Sequence, residues 1–404
     1  MNKTVYLDNS ATTQVAPEVR DVMLPSVGEY TFPGFIDVHV HFRDPGVPEA
    51  ETTESGLAAA QRGGFAAVVT MPNTTPACDS PEALRRQVKS KSEVEQRTVL
   101  LPSACITKGR MGKEVADLEA LAEAGAAFFT DDGSYVADDR VMEAAMNRIA
   151  ALNMVVCQHA MDPAEQKGGV IRDCALARKL NLPVISVETE TKAIRRDFRL
   201  CRETGCRLHI QHISTAAGVQ LVREAQREGL PVTAEATPHH LLLTCEDLTV
   251  DDANFKMAPP LGTREDRAEL RKAVKDGVLM FATDHAPHPA AKKSLGFLKS
   301  ANGIIGLEAA IPITYGVMVE EEGMSVEDWA RAWWEKPRDI IRIGSVGSLR
   351  LEGTIDPMMT LNDTKVEVGE EQAIDISTFA SLSRNCPYDG MKFRCWPSGL
   401  HKMV

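Results

Sequence analysis

Two histidines stand two residues apart in GFIDVHVHFRDPG (residues 34 to 46), His39 and His41, with Arg43 and Asp44 directly behind them. In a strand, side chains two apart share a face, so both imidazoles would aim at one spot. Nine of the ten histidines lie between His39 and His288, and several close apolar runs, as His159 does after MVVCQ and His212 after RLHIQ. Carboxylates close two further runs, Asp131 and Asp132 in AAFFTDD and Asp284 in LMFATDHAP, while Asn73 follows FAAVVTMP. Taken singly, a histidine at a strand end is most often a hydrogen-bonded core residue, and TDDG is a turn with solvated carboxylates. Taken together, four imidazoles and two carboxylates meeting at one end of a sheet would be costly to bury without partners. Metal binding removes that cost. The nitrogens of His39, His41, His159 and His212 and the oxygens of Asp132 and Asp284 suit zinc, and the set is too large for one tetrahedral ion. Two Zn2+ per chain sharing a bridging carboxylate fit it better, and such pairs serve hydrolysis by lowering a water's pKa and polarising a carbonyl. No G-x-S-x-G elbow, P-loop or dinucleotide glycine motif offers a rival chemistry.

These residues need elements to carry them. Eight short apolar runs recur with helix-like segments between: 34 to 40, 65 to 72, 98 to 105, 126 to 132, 154 to 160, 207 to 214, 231 to 238 and 279 to 287. Eight buried strands, each followed by a helix, predict an α/β fold of the TIM (β/α)8 barrel type, with a doubly wound open sheet as the alternative. The polar residues favour the barrel, because they fall at the C-terminal ends of their strands, where barrels carry active sites. Segment 81 to 96 should open a helix after Asp79 and Ser80, and 215 to 229 should close one on Gly229. Residues 1 to 31 read as an atypical leader, with a strand in TVYLDNS and a short helix from Pro17 to about Met23. Residues 32 to 344 make the barrel. Residues 345 to 404 supply strand-like SLRLEG and TKVEVG and an irregular tail from Ser377.

A net charge of -12 argues against nucleic acid, and 44% hydrophobic residues are ample for a large core. No run approaches the roughly 18 apolar residues of a membrane span, and the start lacks a signal-peptide core. A cytoplasmic protein is expected. The nine scattered cysteines, with no C-x-x-C pair, fit reduced and mostly buried thiols.

GFIDVHVHFRDPG, MPNTTP, FFTDDG, QHIST, TAEATPHHLLLT, NFKMAPP, ATDHAPH and NGIIGLEAAIP occur in that order, and together they resemble the bacterial-type dihydroorotases of the amidohydrolase superfamily. The resemblance runs from about Phe32 to Gly344 and resumes in STFASLSRNCPYDG. It implies a zinc-dependent cyclic amide hydrolase interconverting dihydroorotate and N-carbamoyl-aspartate. It further implies that His39, His41 and Asp284 hold one zinc, that His159 and His212 hold the other, and that Asp132 bridges them with Asp131 as a structural neighbour. Asp284 would be the catalytic base turned acid. Arg43, Asn73 and His288 would hold the substrate carboxylate, the guanidinium through two parallel hydrogen bonds. His285 is expected behind the ligands, and His239 and His240 are expected to be structural. A homodimer and an assembly with aspartate carbamoyltransferase are partners the resemblance admits.

Four departures stand out. Ala258 and Gly262 occupy places where relatives carry a ring-contacting asparagine and an arginine, and Met161 stands where an acidic residue usually follows the fifth-strand histidine. The fourth is the start of the chain, where residues 1 to 30 resemble the opening of a pyridoxal-phosphate-type cysteine desulfurase and carry no activity across. The small β-sandwich built from the chain ends is therefore expected to be incomplete, leaving apolar surface exposed in the C-terminal part. A catalytically weak homologue retained as a partner, or an amidohydrolase acting on another cyclic ureide, are the alternative functions.

Overall fold

The computed structural model describes residues 5–6, 27–89, 97–341 and 361–401. The apolar runs form parallel strands. β1 (Val5–Tyr6) and β2 (Gly28–Phe32) lead to β3 (Phe35–Val40), β4 (Phe65–Thr70) and β5 (Val99–Pro102), the last three making one parallel sheet in that order. β6 (Val155–Gln158), β7 (Arg207–Ile210), β8 (Val232–Ala236) and β9 (Met280–Phe281) make a second. Every residue of β3 and of β4 is buried, as parallel strands covered on both faces require.

The run at 126 to 132 is not a regular strand. Phe129 is its bridging residue, pairing with Ala104 on one side and Val156 on the other, both in parallel, and Ala127 N also donates to Pro102 O at 2.8 Å. The chain turns away there because the Asp131 carboxylate is tied down by Ile106 N at 2.9 Å and Thr107 N at 3.1 Å. At the far edges His285 bridges Val40, also in parallel, with His41 N donating to His285 O at 2.8 Å. The helices start where the side chains predict. Pro81–Lys89 follows Ser80, and Ala216–Arg227 is capped by Thr215 accepting from Gly218 N. The remainder of 81 to 96 lies outside the described residues.

Below the strands the core is aromatic. Helix Val326–Ile341 inserts Trp329 edge-on to Phe32 and Phe35, with ring centroids 5.9 and 5.5 Å apart, and Trp333 against Phe65 and Phe281. Both indole N–H groups donate to Thr314 Oγ1, so neither ring carries an unpaired donor into the core.

The chain ends meet in a four-stranded sheet of order β1-β2-β10-β11, where β10 is Asp363–Ala373 and β11 is Lys392–His401. β2 runs across residues 31 and 32, with Tyr30 and Phe32 buried and their rings stacked at 6.3 Å. One sequence expectation changes here. The tail from Ser377 is irregular only as far as Gly390, and then it runs as β11 antiparallel to β10. Pro397 and Gly399 read as breakers, yet a sheet-edge strand with a register shift beside Val366 accommodates both. Val366, Val368, Cys395 and Leu400 are buried, so the apolar exposure expected here is not found at those positions. The proposed helix at Pro17 to Met23 and SLRLEG lie outside the described residues. All nine cysteines are buried and unpaired, and no described helix is long and apolar enough to cross a membrane.

Candidate metal centre

The strand ends deliver their polar residues to one spot. His39 is in β3 and His41 just past it, His159 directly follows β6, His212 stands two residues past β7 and Asp284 three past β9. Asp132 contacts all four imidazoles: His39 Nε2 at 3.3 Å, His41 Nε2 at 3.4 Å, His159 Nδ1 at 3.6 Å and His212 Nε2 at 3.8 Å. Asp284 Oδ1 lies 3.0 Å from His41 Nε2 and 3.4 Å from His39 Nε2. His159 Nδ1 and His212 Nε2 are 2.8 Å apart. Two triads, His39–His41–Asp284 and His39–Asp132–His212, each bring ligand atoms close enough together to hold one ion.

The donors fit a cation on a test independent of their count. His39 Nε2 and Asp132 Oδ1 are buried with no hydrogen-bond partner, an expense that a positive charge between them would remove. The carboxylates are held ionised by the imidazoles around them. Burial alone would raise Asp132, but the imidazoles of His39, His159 and His212 hold it well below the usual carboxylate range. Burial likewise opposes ionisation of Asp284, and His39 and His41 outweigh it. His159 is pushed down, chiefly by burial, which favours the neutral imidazole that ligation requires.

Behind these ligands is a layer for which the sequence reading gave no role. Glu235 in β8 is fully buried, with Oε1 2.6 Å from His39 Nδ1 and 3.1 Å from His212 N, and Oε2 2.9 Å from His209 Nε2. A carboxylate on the far nitrogen fixes which nitrogen of His39 faces the site. Burial opposes its charge, yet His39 and His209 bring the Glu235 carboxyl down to about 2. Asp37 accepts from His39 N and from Thr283 N, both at 3.1 Å, and so ties β3 to the segment carrying Asp284. The available signal was a lone acid inside an apolar run, Asp37 in GFIDVHV and Glu235 in PVTAEATP.

At the mouth, Arg43 Nη2 is 3.4 Å from His288 Nε2, and Arg43 Nε donates to Pro287 O at 3.2 Å. The structure thus brings Arg43 and His288 together. Burial and the nearby Arg43 lower the His288 imidazole to about 3, leaving it neutral beside the guanidinium. Asn73 sits instead beside His41 and Asp132, 3.0 Å from His41 Nδ1 and 3.5 Å from Asp132 Oδ2. Arg110 reaches the same region, donating to the Asp132 carbonyl and to Ser134 Oγ at 3.1 Å. His285 stands behind Asp284, paired with Glu51 at 3.3 Å and accepting from Gly306 N at 3.1 Å. His240 bonds Thr237 Oγ1 and Pro259 O, while His239 is buried and brought down to about 4 by its burial. Asp131 is held by Ile106 and Thr107, away from the ligand set. Met161 is buried.

Residues 28–217 match the family described as Dihydro-orotase-like. The chain is 40% identical over 382 residues to the dihydroorotase of Anoxybacillus flavithermus, covering 94% of this chain and 87% of that one. It is likewise 40% identical over 404 residues to the dihydroorotase of Listeria innocua, covering 98% and 92%. Among solved structures it shares the fold of the L-hydantoinase from Arthrobacter aurescens, with a TM-score of 0.77 at 23% identity over 93% of this chain and 86% of that one. It also shares that of the Saccharomyces cerevisiae dihydroorotase in complex with 5-fluoroorotic acid, with a TM-score of 0.72 at 18% identity over 93% and 100%.

Proposed function

The chain belongs to the dihydroorotase family of cyclic amide hydrolases, and we propose that it interconverts dihydroorotate and N-carbamoyl-aspartate at a two-zinc centre on a (β/α)8 barrel. The barrel reading rests on the parallel bridges of Phe129 and His285, which join the two sheets at both edges. The four-stranded sheet of the chain ends would be what this chain has of the accessory sandwich.

One observation carries the functional reading: four imidazoles and two carboxylates converge, five of the six side chains fall in two groups able to hold an ion, and His39 Nε2 and Asp132 Oδ1 are buried without a hydrogen-bond partner. His39, His41 and Asp284 would hold one ion, His159 and His212 the other, with Asp132 between them. Such ions lower the pKa of a water and polarise the attacked carbonyl. The chain's own groups do the rest. Asp284 is held ionised by His39 and His41, so its carboxylate begins as the base, takes the proton of the attacking water, and returns it to the departing ring nitrogen. Arg43, with neutral His288 beside it, offers a fork of donors to the substrate carboxylate. Asn73 orients His41 and Asp132, and its remaining N–H is directed to the same carboxylate in this reading.

Zinc-loaded protein should hydrolyse dihydroorotate and hold two ions per chain measured on the same sample. Turnover no greater than that of Asp132→Ala would sink the proposal. A second reading, a weak homologue that assembles with aspartate carbamoyltransferase, is favoured by Ala258 and Gly262. At Gly262 an added Cβ would stand 2.7 Å from Ser214 O and from Asp266 Cβ, so this packing leaves no room for an arginine. Hydantoin or allantoin outrunning dihydroorotate would instead indicate another ureide as substrate.

A further inference from the structure

The family-like stretch STFASLSRNCPYDG lies far from the ligands in sequence, and the mechanism above makes no use of it. In the structure it runs directly behind the substrate end of the site. Asn385 is buried, and its side-chain amide is fully engaged. Oδ1 accepts from His288 N at 3.1 Å, while Nδ2 donates to Ala286 O and Gly303 O, both at 3.0 Å. Its backbone carbonyl takes Ile305 N at 3.0 Å. One residue therefore joins the loop bearing His288 to the segment 303–305. The join matters at the front of that loop, where His288 Nε2 is 2.7 Å from Asn302 O and 3.4 Å from Arg43 Nη2. Gly303 holds the close approach: its φ is +121°, and an added Cβ would lie 2.6 Å from Ala286 Cβ and 3.3 Å from His288 Nε2. Lys293 fixes the same peptide from the other side, donating to Gly303 O at 2.8 Å.

The upstream part of the stretch grips the first loop. Ser383 Oγ donates to Ala50 O at 2.7 Å, Leu382 N to Glu51 Oε1 at 3.2 Å, and Ser381 Oγ to Glu51 Oε2. Glu51 is the partner of His285, the neighbour of Asp284. Residues 381–385 thus span the Arg43 loop and the His288 loop.

We infer that the segment 381–385 is a strap that sets the spacing of Arg43 and His288, and that Asn385 is a positioning residue for recognition of the substrate carboxylate. It rests on the reading of Arg43 and His288 as carboxylate-binding groups. A strap acting on those groups alters binding of the anionic end while leaving proton transfer at Asp284 in place, so its loss appears in KM ahead of kcat. The test compares zinc-loaded wild type with Asn385→Ala and the isosteric Asn385→Asp, which keeps the acceptor for His288 N but sets an oxygen against two carbonyls.

Both variants should raise KM for dihydroorotate by about tenfold or more, keep kcat within about threefold, and retain two zinc ions per chain. The inhibition constant of orotate, which carries the carboxylate, should rise in parallel. A wild-type KM in either folded variant, or a loss confined to kcat, overturns the strap. Failure of both variants to fold also overturns it, assigning Asn385 a structural role alone. Wild type that does not turn over dihydroorotate defeats the functional reading itself, a result distinct from these.

Discussion

Replacing Glu235 by glutamine tests whether the buried layer behind the ligands governs metal affinity. The substitution keeps shape: one amide oxygen can still face His39 Nδ1, now 2.6 Å from Glu235 Oε1, while the amide nitrogen faces His209 Nε2 across the present 2.9 Å. What disappears is the charge. A hydrogen bond to a charged group is worth about 1.5–3 kcal/mol and one between neutral groups about 0.5–1.5, so His39 loses about 1–1.5 kcal/mol of support for its ligating form. Carboxylates behind ligating histidines control metal affinity by about 10- to 100-fold, or about 1.4–2.7 kcal/mol, and the two figures meet at the lower end. Binding of an ion by His39, His41 and Asp284, as proposed, should therefore weaken by about tenfold. Competition against a chromophoric chelator measures this directly, and the variant should lose one zinc of two at chelator concentrations where wild type keeps both. Equal affinity in the two proteins would refute the role given to Glu235.

Arg43→Lys should raise KM for dihydroorotate by about tenfold or more with kcat little changed, because an ammonium cannot reproduce the two-pronged contact; steady-state kinetics decide, and an unchanged KM would remove Arg43 from the substrate site. Ala258→Asn should raise kcat/KM on dihydroorotate by about tenfold if a ring contact is missing there, whereas an unchanged or lower rate would show that the position has no such role. Trp329→Ala should cost about 3–5 kcal/mol in urea unfolding, since the ring is fully buried against Phe32 and Phe35. Metal-free protein should lose stability in acid through Glu235, whose carboxyl is lowered to about 2 from 4.5. Its contribution is whole above pH 4.5 and disappears as pH falls toward 2, so Glu235→Gln should flatten the dependence of the urea midpoint over that interval.

The strands that carry ligands were legible because each apolar run ends in a residue that does not belong in a core. His39, Asp132, His159, His212 and Asp284 announce themselves by that break. Glu235 and Asp37 are equally out of place in an apolar run, but their task was not legible because their partners, His39 for Glu235 and Thr283 for Asp37, are distant in sequence. The run at 126 to 132 carried the right composition for a strand but not the right termini, as the tethered Asp131 turns the chain after one bridging residue. β11 was hidden by Pro397 and Gly399, whose meaning depends on being at a sheet edge, which composition does not reveal. The task of Asn385 is not legible in its motif because its three side-chain partners lie 82 to 99 residues away in the chain.

The backbone at the site carries strain of its own. Arg43, His212 and Asp284 have φ of 40°, 34° and 49°, left-handed values unfavourable for residues with a Cβ. Each costs about 1–3 kcal/mol, and such outliers persist only where the surroundings over-determine them. Here the determinants are visible: His212 N is held by Glu235, the Asp284 segment by Asp37 through Thr283, and the Arg43 guanidinium by Pro287 O. Each tether joins a strained residue or its neighbour to a different part of the chain. Two of the strained residues, His212 and Asp284, approach the buried atoms that lack a hydrogen-bond partner, Asp132 Oδ1 and His39 Nε2, at 3.8 and 3.4 Å, and a cation held among them would remove that second cost. The histidine pair of β3 is accordingly part of a site whose geometry is imposed by Asp37 in the same strand and Glu235 in β8, and metal binding and fold stability should rise and fall together there.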